Sequence, residues 1–372
     1  MYGGDFHIEI ETTNLCNTRC LHCPHEAISR PIGKMDWVIY QTIMDKLMNV
    51  SNIMSVSYGG MGEPLLNPLI YQFIKYVSSK VNTYVTTNAS ALNLKNIQRL
   101  IDAGLSNLII SFNGSDKAMY ELMMGGLSFE RAQRNLRTAV ELCKGTGLRL
   151  SANVSTTRQT EKSLTKIKEY LEEVGINAIF FSMAHNRAGF MKDQSICYTP
   201  MPPVDRQRCD IFANTLFVAW TGEVLSCCHD LAGTNVLGNL MSESIEEILQ
   251  RREQIVKSGV KFDICGNCND MARFMSDQTP EDSISNWVYN LYQDEKEQEH
   301  ATTPLLEWIY TLYQNEDQFR KLFVRLNSRL QEQVQLMNVK LQEIELLRAE
   351  AKSNHRVAGL LMRYARRIRN FL

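Results

Sequence analysis

The chain has 372 residues, 44% of them hydrophobic and 22% charged, and 40 basic side chains against 41 acidic ones leave a net charge of -1. That composition belongs to a core-forming globular protein and removes any whole-chain electrostatic case for a nucleic-acid partner. No apolar run is long enough to span a bilayer, and a start carrying Asp5, Glu9 and Glu11 without a basic, apolar leader does not read as a signal peptide.

Residues 6–12 alternate apolar and polar, the period of a strand. Further strands are expected at 53–58, 82–87, 107–112, 148–155 and 178–183. Helical patterns are expected at 37–48, 69–78, 94–103, 129–143 and 163–174. Strands alternating with helices imply parallel pairing through helical crossovers, as a doubly wound sheet or as a barrel or part of one. Eight units would close a barrel, and six are legible. The rhythm breaks after Asn186. A hairpin is expected at 215–220 and 223–226 around Thr221-Gly222, and a helix at 245–258. Residues 276–318 read as a linker with short helices. A four-and-three spacing from Phe323 to Ala351 reads as heptads with Asn327 on the seam, a coiled coil that wants a partner helix and so makes a dimer. Residues 352–372 carry Lys352 and five arginines without an acid, a pattern for a helix lying on an anionic membrane surface.

The ten cysteines are clumped. Without an export signal the expected compartment is the cytoplasm, where thiols serve metals or redox chemistry rather than a disulfide framework. Cys16, Cys20 and Cys23 follow the first strand, on the face of a parallel α/β fold where active sites gather. Three thiolates suit three corners of a cubane iron–sulfur cluster; zinc would need a fourth ligand, for which His22 or His25 could serve. Cys209, Cys227, Cys265 and Cys268 form Cys-x17-Cys-x37-Cys-x2-Cys, a complete set for a 4Fe–4S cluster or for zinc. Read alone, the Cys-x2-Cys with two distant partners points first to zinc. Cys143 reads as a core thiol and Cys197 as an incidental one.

The run Thr13-Asn14-Leu15-Cys16-Asn17-Thr18-Arg19-Cys20-Leu21-His22-Cys23 resembles the signature loop of the radical S-adenosylmethionine (radical SAM) enzymes, a Cys-x3-Cys-x-aromatic-Cys. The resemblance implies a partial barrel of six βα units over residues 1–186. It also implies a 4Fe–4S cluster whose open iron binds SAM, and a 5′-deoxyadenosyl radical that takes a hydrogen atom from substrate. Gly60-Met61-Gly62-Glu63-Pro64 resembles the family's glycine-rich element against the methionyl group. Asn88, Ser111 and Asn113 resemble strand ends facing SAM; the family's usual acid stands as Asn113 here. Ser151 and Asn153 fit a position near the ribose.

Residues 221–230, Leu237-Gly238-Asn239-Leu240 and the helix before Cys265-x2-Cys268 resemble the auxiliary-cluster extension called SPASM, or twitch when it holds one cluster. The resemblance places a second 4Fe–4S cluster within residues 187–275, with Cys227 rather than Cys228 as its ligand. A fully ligated second cluster suits electron transfer. The implied reaction is oxidation of an alcohol carbon in a small sugar-like or cyclitol-like substrate, with His185 and Arg187, after the sixth strand, as candidates for the base that takes the proton, and flavodoxin or ferredoxin as external electron donor. Alternatives are peptide maturation, sugar epimerisation, or a non-catalytic metal-bearing scaffold.

Overall fold

The computed structural model describes residues 6–50, 52–193, 195–197 and 209–270. The expected linker, coiled coil and basic tail lie outside the described residues.

The chain order is β1 (Phe6–Ile10), β2 (Arg19–Cys20), α1 (Trp37–Leu47), β3 (Ile53–Tyr58), α2 (Ile70–Val77), β4 (Asn82–Thr87), α3 (Leu94–Asp102) and β5 (Asn107–Ser111). It continues through α4 (Lys117–Met123), β6 (Met124–Gly125), α5 (Phe129–Cys143), β7 (Arg149–Thr156), α6 (Leu164–Val174) and β8 (Ile179–Met183). The last elements are α7 (Asp210–Asn214), β9 (Thr215–Val218), β10 (Glu223–Leu225), β11 (Val236–Asn239) and α8 (Ile245–Ser258).

Six strands, β1-β3-β4-β5-β7-β8, pair in parallel and form a partial (β/α)6 barrel, because β8 has no strand on its outer side among the described residues. The alternation along each strand divides the two faces. Ile8, Ile10, Val56, Tyr58, Val85, Ile110, Ala152 and Val154 are buried in the apolar core. Glu9, Ser111, Asn153, Ser155 and Ser182, of the opposite parity on their strands, line the interior. A parallel sheet covered on both faces by helices would be apolar on both; this one keeps a polar face for a site.

The helices begin where short polar side chains cap them. Asp36, Asn93, Asp116 and Ser128 each accept a backbone N–H in the first turn of α1, α3, α4 and α5, and Ser244 with Glu247 forms a capping box on α8. Gly175 ends α6 at φ 106°, a left-handed cap that suits glycine.

The segment after the barrel continues the same sheet. Strand β9 runs parallel to β1 with Glu9 opposite Phe217, and β10 and β11 follow antiparallel, giving the order β11-β10-β9-β1 at that edge. Arg252 of α8 is 1% exposed and donates to the Phe212 and Thr215 carbonyl oxygens, which ties α8 to the entry of β9.

Candidate active site

The loops at the carboxyl ends of the six strands surround one cavity of about 590 Å³. The loop after β1 brings Cys16, Cys20 and Cys23 to its wall, all three free thiols. Thr18 Oγ1 lies 3.5 Å from Cys16 Sγ and 3.2 Å from Cys20 Sγ. Burial, above all, pushes the Cys20 thiol up to about 12, and the charges of Cys23 and Cys16 add to the shift. Neighbouring thiols that raise one another's pKa are the donor set a cationic cluster relieves. The triad therefore fits an iron–sulfur group with one position left to a further ligand. His22 beside it is pushed down to about 4 by burial, and its Nδ1 is buried with no hydrogen-bond partner in the structure.

The β3 loop lies directly on this cysteine loop. Glu63 N donates to Leu15 O at 2.8 Å. A Cβ on Gly62 would stand 2.2 Å from Thr13 O, so only glycine permits that approach. Gly60 adopts φ 89°, and its N–H donates to Glu9 Oε1 at 3.1 Å. Beneath the turn, buried Glu11 pairs with Arg30. Glu63 is 2% exposed and lashes β3 to β4: its carboxylate accepts from Thr87 Oγ1 (2.8 Å), Asn88 N (2.7 Å) and Leu65 N (3.1 Å). Burial nonetheless raises its pKa. Asn88 Nδ2 donates to Asn17 Oδ1 at 2.9 Å, joining the β4 end to the cysteine loop.

Of the SAM-site and catalytic candidates named from the sequence, Cys16, Cys20, Cys23, Gly60, Gly62, Glu63, Asn88, Ser111, Asn153, His185 and Arg187 share the cavity wall. Asn113 and Ser151 are not on that wall. Asn113 is fully buried, with Oδ1 accepting Ser155 N (2.6 Å) and Nδ2 3.1 Å from Met124 Sδ, so it holds the β5, β6 and β7 ends together. Ser151 shares the interior face with Asn153 and Ser155 but sits lower on β7, donating to Asn107 Oδ1 at 3.1 Å.

The second cysteine group approaches from the other side. The doublet divides: Cys228 lines the cavity, while Cys227 is not on that wall, and its thiol is pushed up to about 12 by burial, with Cys228 and Cys209 as neighbouring charges. Cys265 and Cys268 follow in a turn closed by Cys268 N to Cys265 O, 3.2 Å. None of Cys209, Cys227, Cys265 and Cys268 is in a disulfide, and four thiols are a donor set that fits a fully ligated cluster. Cys143 packs in the core, as expected, and Cys197 is buried away from the cavity wall.

Asp270 completes the wall on that side, with His229 against it, and neither was singled out as a site residue by sequence reasoning. Asp270 Oδ2 lies 3.4 Å from His185 Nε2 and 3.1 Å from His229 Nε2, and the two imidazoles stand 4.6 Å apart. Burial drives His185 down to about 3, outweighing Asp270. His229 is held well above the usual imidazole range: burial opposes its charge, but Cys228 and hydrogen bonds to Asp270, Cys228 and Cys268 outweigh it. Arg187 keeps its charge, because Cys228, Cys23, Asp270 and Glu9 outweigh its burial. Arg187 and Ala188 hold left-handed backbone at φ 49° and 56°, the kind of local strain that packed surroundings maintain around functional sites.

Residues 10–151 match the model of the radical SAM superfamily, and residues 209–269 match that of the SPASM iron–sulfur cluster-binding domain. The S-adenosyl-L-methionine-dependent 2-deoxy-scyllo-inosamine dehydrogenase of Niallia circulans is 23% identical over 276 residues, 71% of this chain and 93% of that protein. The AdoMet-dependent heme synthase of Oleidesulfovibrio alaskensis is 25% identical over 191 residues, 50% of this chain and 48% of its own. Among solved structures, BtrN in complex with AdoMet and 2-DOIA superposes with a TM-score of 0.51 at 21% identity, over 75% of this chain and 99% of that one. AdoMet-bound anSMEcpe superposes at 0.56 and 14% identity, over 82% and 99%. These likenesses establish a common fold.

Proposed function

Because the chain belongs to the radical SAM enzymes and carries a C-terminal SPASM domain, we propose that it is a dehydrogenase oxidising a secondary alcohol carbon of a sugar-like or cyclitol-like small molecule to a ketone. One observation carries the reading: the Cys16–Cys20–Cys23 loop and Cys228 and Asp270 of the second cysteine segment wall the same cavity. A substrate there touches the site of hydrogen abstraction and the edge of an electron acceptor together. The dehydrogenase of Niallia circulans, aligned over 93% of its length, supports the substrate class.

Cys16, Cys20 and Cys23 would hold the SAM-binding 4Fe–4S cluster, with Gly60, Gly62, Glu63, Asn88 and Ser111 beside SAM. Asn113 and Ser151 would support that wall from outside it. Cys209, Cys227, Cys265 and Cys268 would hold the second cluster. When bound, these groups supply a 5′-deoxyadenosyl radical that takes the hydrogen atom and an acceptor for the remaining electron.

The chain's own residues handle the oxygen and its proton. Arg187, a charged donor on the cavity wall, holds and polarises the substrate hydroxyl rather than taking its proton. His185 has little room to act as the base: its Nδ1 accepts the Arg187 backbone N–H at 3.3 Å and its Nε2 faces Asp270. The proton acceptor in this arrangement is the Asp270 carboxylate, with His185 and His229 fixing it. Carbon thus loses a hydrogen atom, oxygen a proton and the resulting radical one electron, leaving the ketone. The external donor, flavodoxin or ferredoxin, supplies the electron that starts each turnover.

The test is an anaerobic incubation of reconstituted protein with SAM, reduced flavodoxin and a panel of aminocyclitols and sugar alcohols. One ketone per SAM consumed is expected. Solvent hydrogen appearing at the same carbon without net oxidation would make the protein an epimerase, and modification only of a peptide would make it a maturase.

A further inference from the structure

Three side chains outside both groups of ligands, His185, Asp270 and His229, join the cavity to Cys268 of the second cysteine group. His185 lines the cavity. Its Nε2 lies 3.4 Å from Asp270 Oδ2, and that same oxygen lies 3.1 Å from His229 Nε2. The other nitrogen of His229, Nδ1, lies 3.8 Å from Cys268 Sγ. His229 is 2% exposed and off the cavity wall, so the end of this chain of side chains beside Cys268 is shielded from solvent.

We propose that His229 is a positioning residue for electron transfer: it donates its Nδ1 proton to the Cys268 sulfur, oriented for this by Asp270 at Nε2, and thereby raises the reduction potential of the second cluster. The inference rests on the reading that Cys268 is a ligand of that cluster. A hydrogen bond to a ligand sulfur stabilises the reduced, more negative cluster over the oxidised one. Burial alone acts in the opposite sense, since a low-dielectric surrounding disfavours added charge. The donor therefore offsets the penalty that burial places on electron uptake. Its position is fixed from the substrate side, because the carboxylate that orients it also meets His185. Cys228 stands beside His229 too; it lines the cavity, whereas Cys268 continues toward Cys265.

The experiment uses the full-length chain with Cys16→Ala, Cys20→Ala and Cys23→Ala, reconstituted anaerobically so that only the second cluster remains. Its potential is read by electron paramagnetic resonance across a redox titration. His229→Leu is expected to lower the potential by the equivalent of a tenfold or larger change in the reduction equilibrium, about 59 mV for one electron. His229→Asn retains a donor near the Nδ1 position and is expected to recover most of that shift. Asp270→Ala, which frees the ring but leaves it in place, is expected to give a shift of the same sign. Equal potentials in the parent and His229→Leu, at equal iron content, would overturn the proposal, as would a His229→Asn variant no better than His229→Leu. If the parent triple variant binds no iron, the ligand reading itself fails, an outcome separate from any change at His229.

Discussion

Asn186 and Asn269 clasp one another across the site. Asn186 N donates to Asn269 Oδ1 at 2.7 Å, Asn269 N to Asn186 Oδ1 at 3.4 Å, and Asn186 Nδ2 to Asn267 O at 2.7 Å. Asn186 separates His185 from Arg187, and Asn269 separates Cys268 from Asp270. The clasp therefore sets the loop after β8 against the second cysteine turn, and both chemical groups on each side move with it. Replacing Asn269 by Ala strips the side-chain acceptor from the buried Asn186 N–H, a loss of about 1–3 kcal/mol. We expect SAM cleavage to persist while product formation falls about tenfold or more, because the distance from the abstraction site to Asp270 is no longer fixed. Paired measurements of 5′-deoxyadenosine and ketone check this. A proportional loss of both would place the effect on folding.

The divided doublet gives a ligand test. Cys227 is half-buried near Cys209, and Cys228 faces the cavity. Wild-type protein reconstituted anaerobically should hold about eight irons as two 4Fe–4S clusters. Cys227→Ser should lose about half of that iron and spare SAM cleavage. Cys228→Ser should keep both clusters. Iron analysis with Mössbauer spectra measures both, and the reverse pattern would exchange the assignments.

Arg187 and Asp270 should separate cleavage from oxidation. Arg187→Met removes the charge that faces the substrate oxygen, and Asp270→Asn removes the proton acceptor. Each should leave 5′-deoxyadenosine formation within a few-fold of wild type and slow ketone formation by about 10²-fold, the effect of losing one catalytic acid, base or oxyanion donor. His185→Gln should be milder, since it only orients Asp270. Single-turnover assays with a deuterated substrate read the two steps independently.

The six βα units were legible because short strand-like runs recur at regular intervals between helical segments that keep their own period over enough residues to register. The cysteine loops were legible because thiols are few and their spacing is chemically specific. Pairing of β9 with β1 was not, since nothing in a four-residue strand names a parallel partner near the other end of the chain. Two-residue strands such as β2 and β6 carry no period at all. Asp270 and His229 were missed for a related reason. Each looks like an ordinary polar residue within two positions of a cysteine, and only the fold brings Asp270 to His185, as it brings Asn269 to an asparagine 83 positions earlier. Asn113 and Ser151 lay on the anticipated strands, but strand parity alone does not give the height along the barrel, and both are engaged in tying strands together.

The closest backbone approach in the site makes a final prediction. A methyl group at position 62 would meet Thr13 O at 2.2 Å and Leu15 O at 2.7 Å, both of them main-chain atoms in the loop that carries Cys16. Neither can yield as a flexible side chain would, and the Glu63 N–H bond to Leu15 O locks the same pair of segments together. Gly62→Ala must therefore move the cysteine loop or the β3 turn, at about 1–3 kcal/mol for overpacking. The strain falls on the first cysteine group and leaves β9 to α8 untouched. We expect the variant to fold, to keep the second cluster and to lose most of the first, with SAM cleavage reduced about 10²-fold by the same misplacement. Gly266→Ala is the matched control, because nothing lies within 4 Å of where its Cβ would stand. Iron content and SAM binding by calorimetry distinguish the two; equal iron and equal SAM affinity in both variants would show that the approach at Gly62 is not what shapes the site.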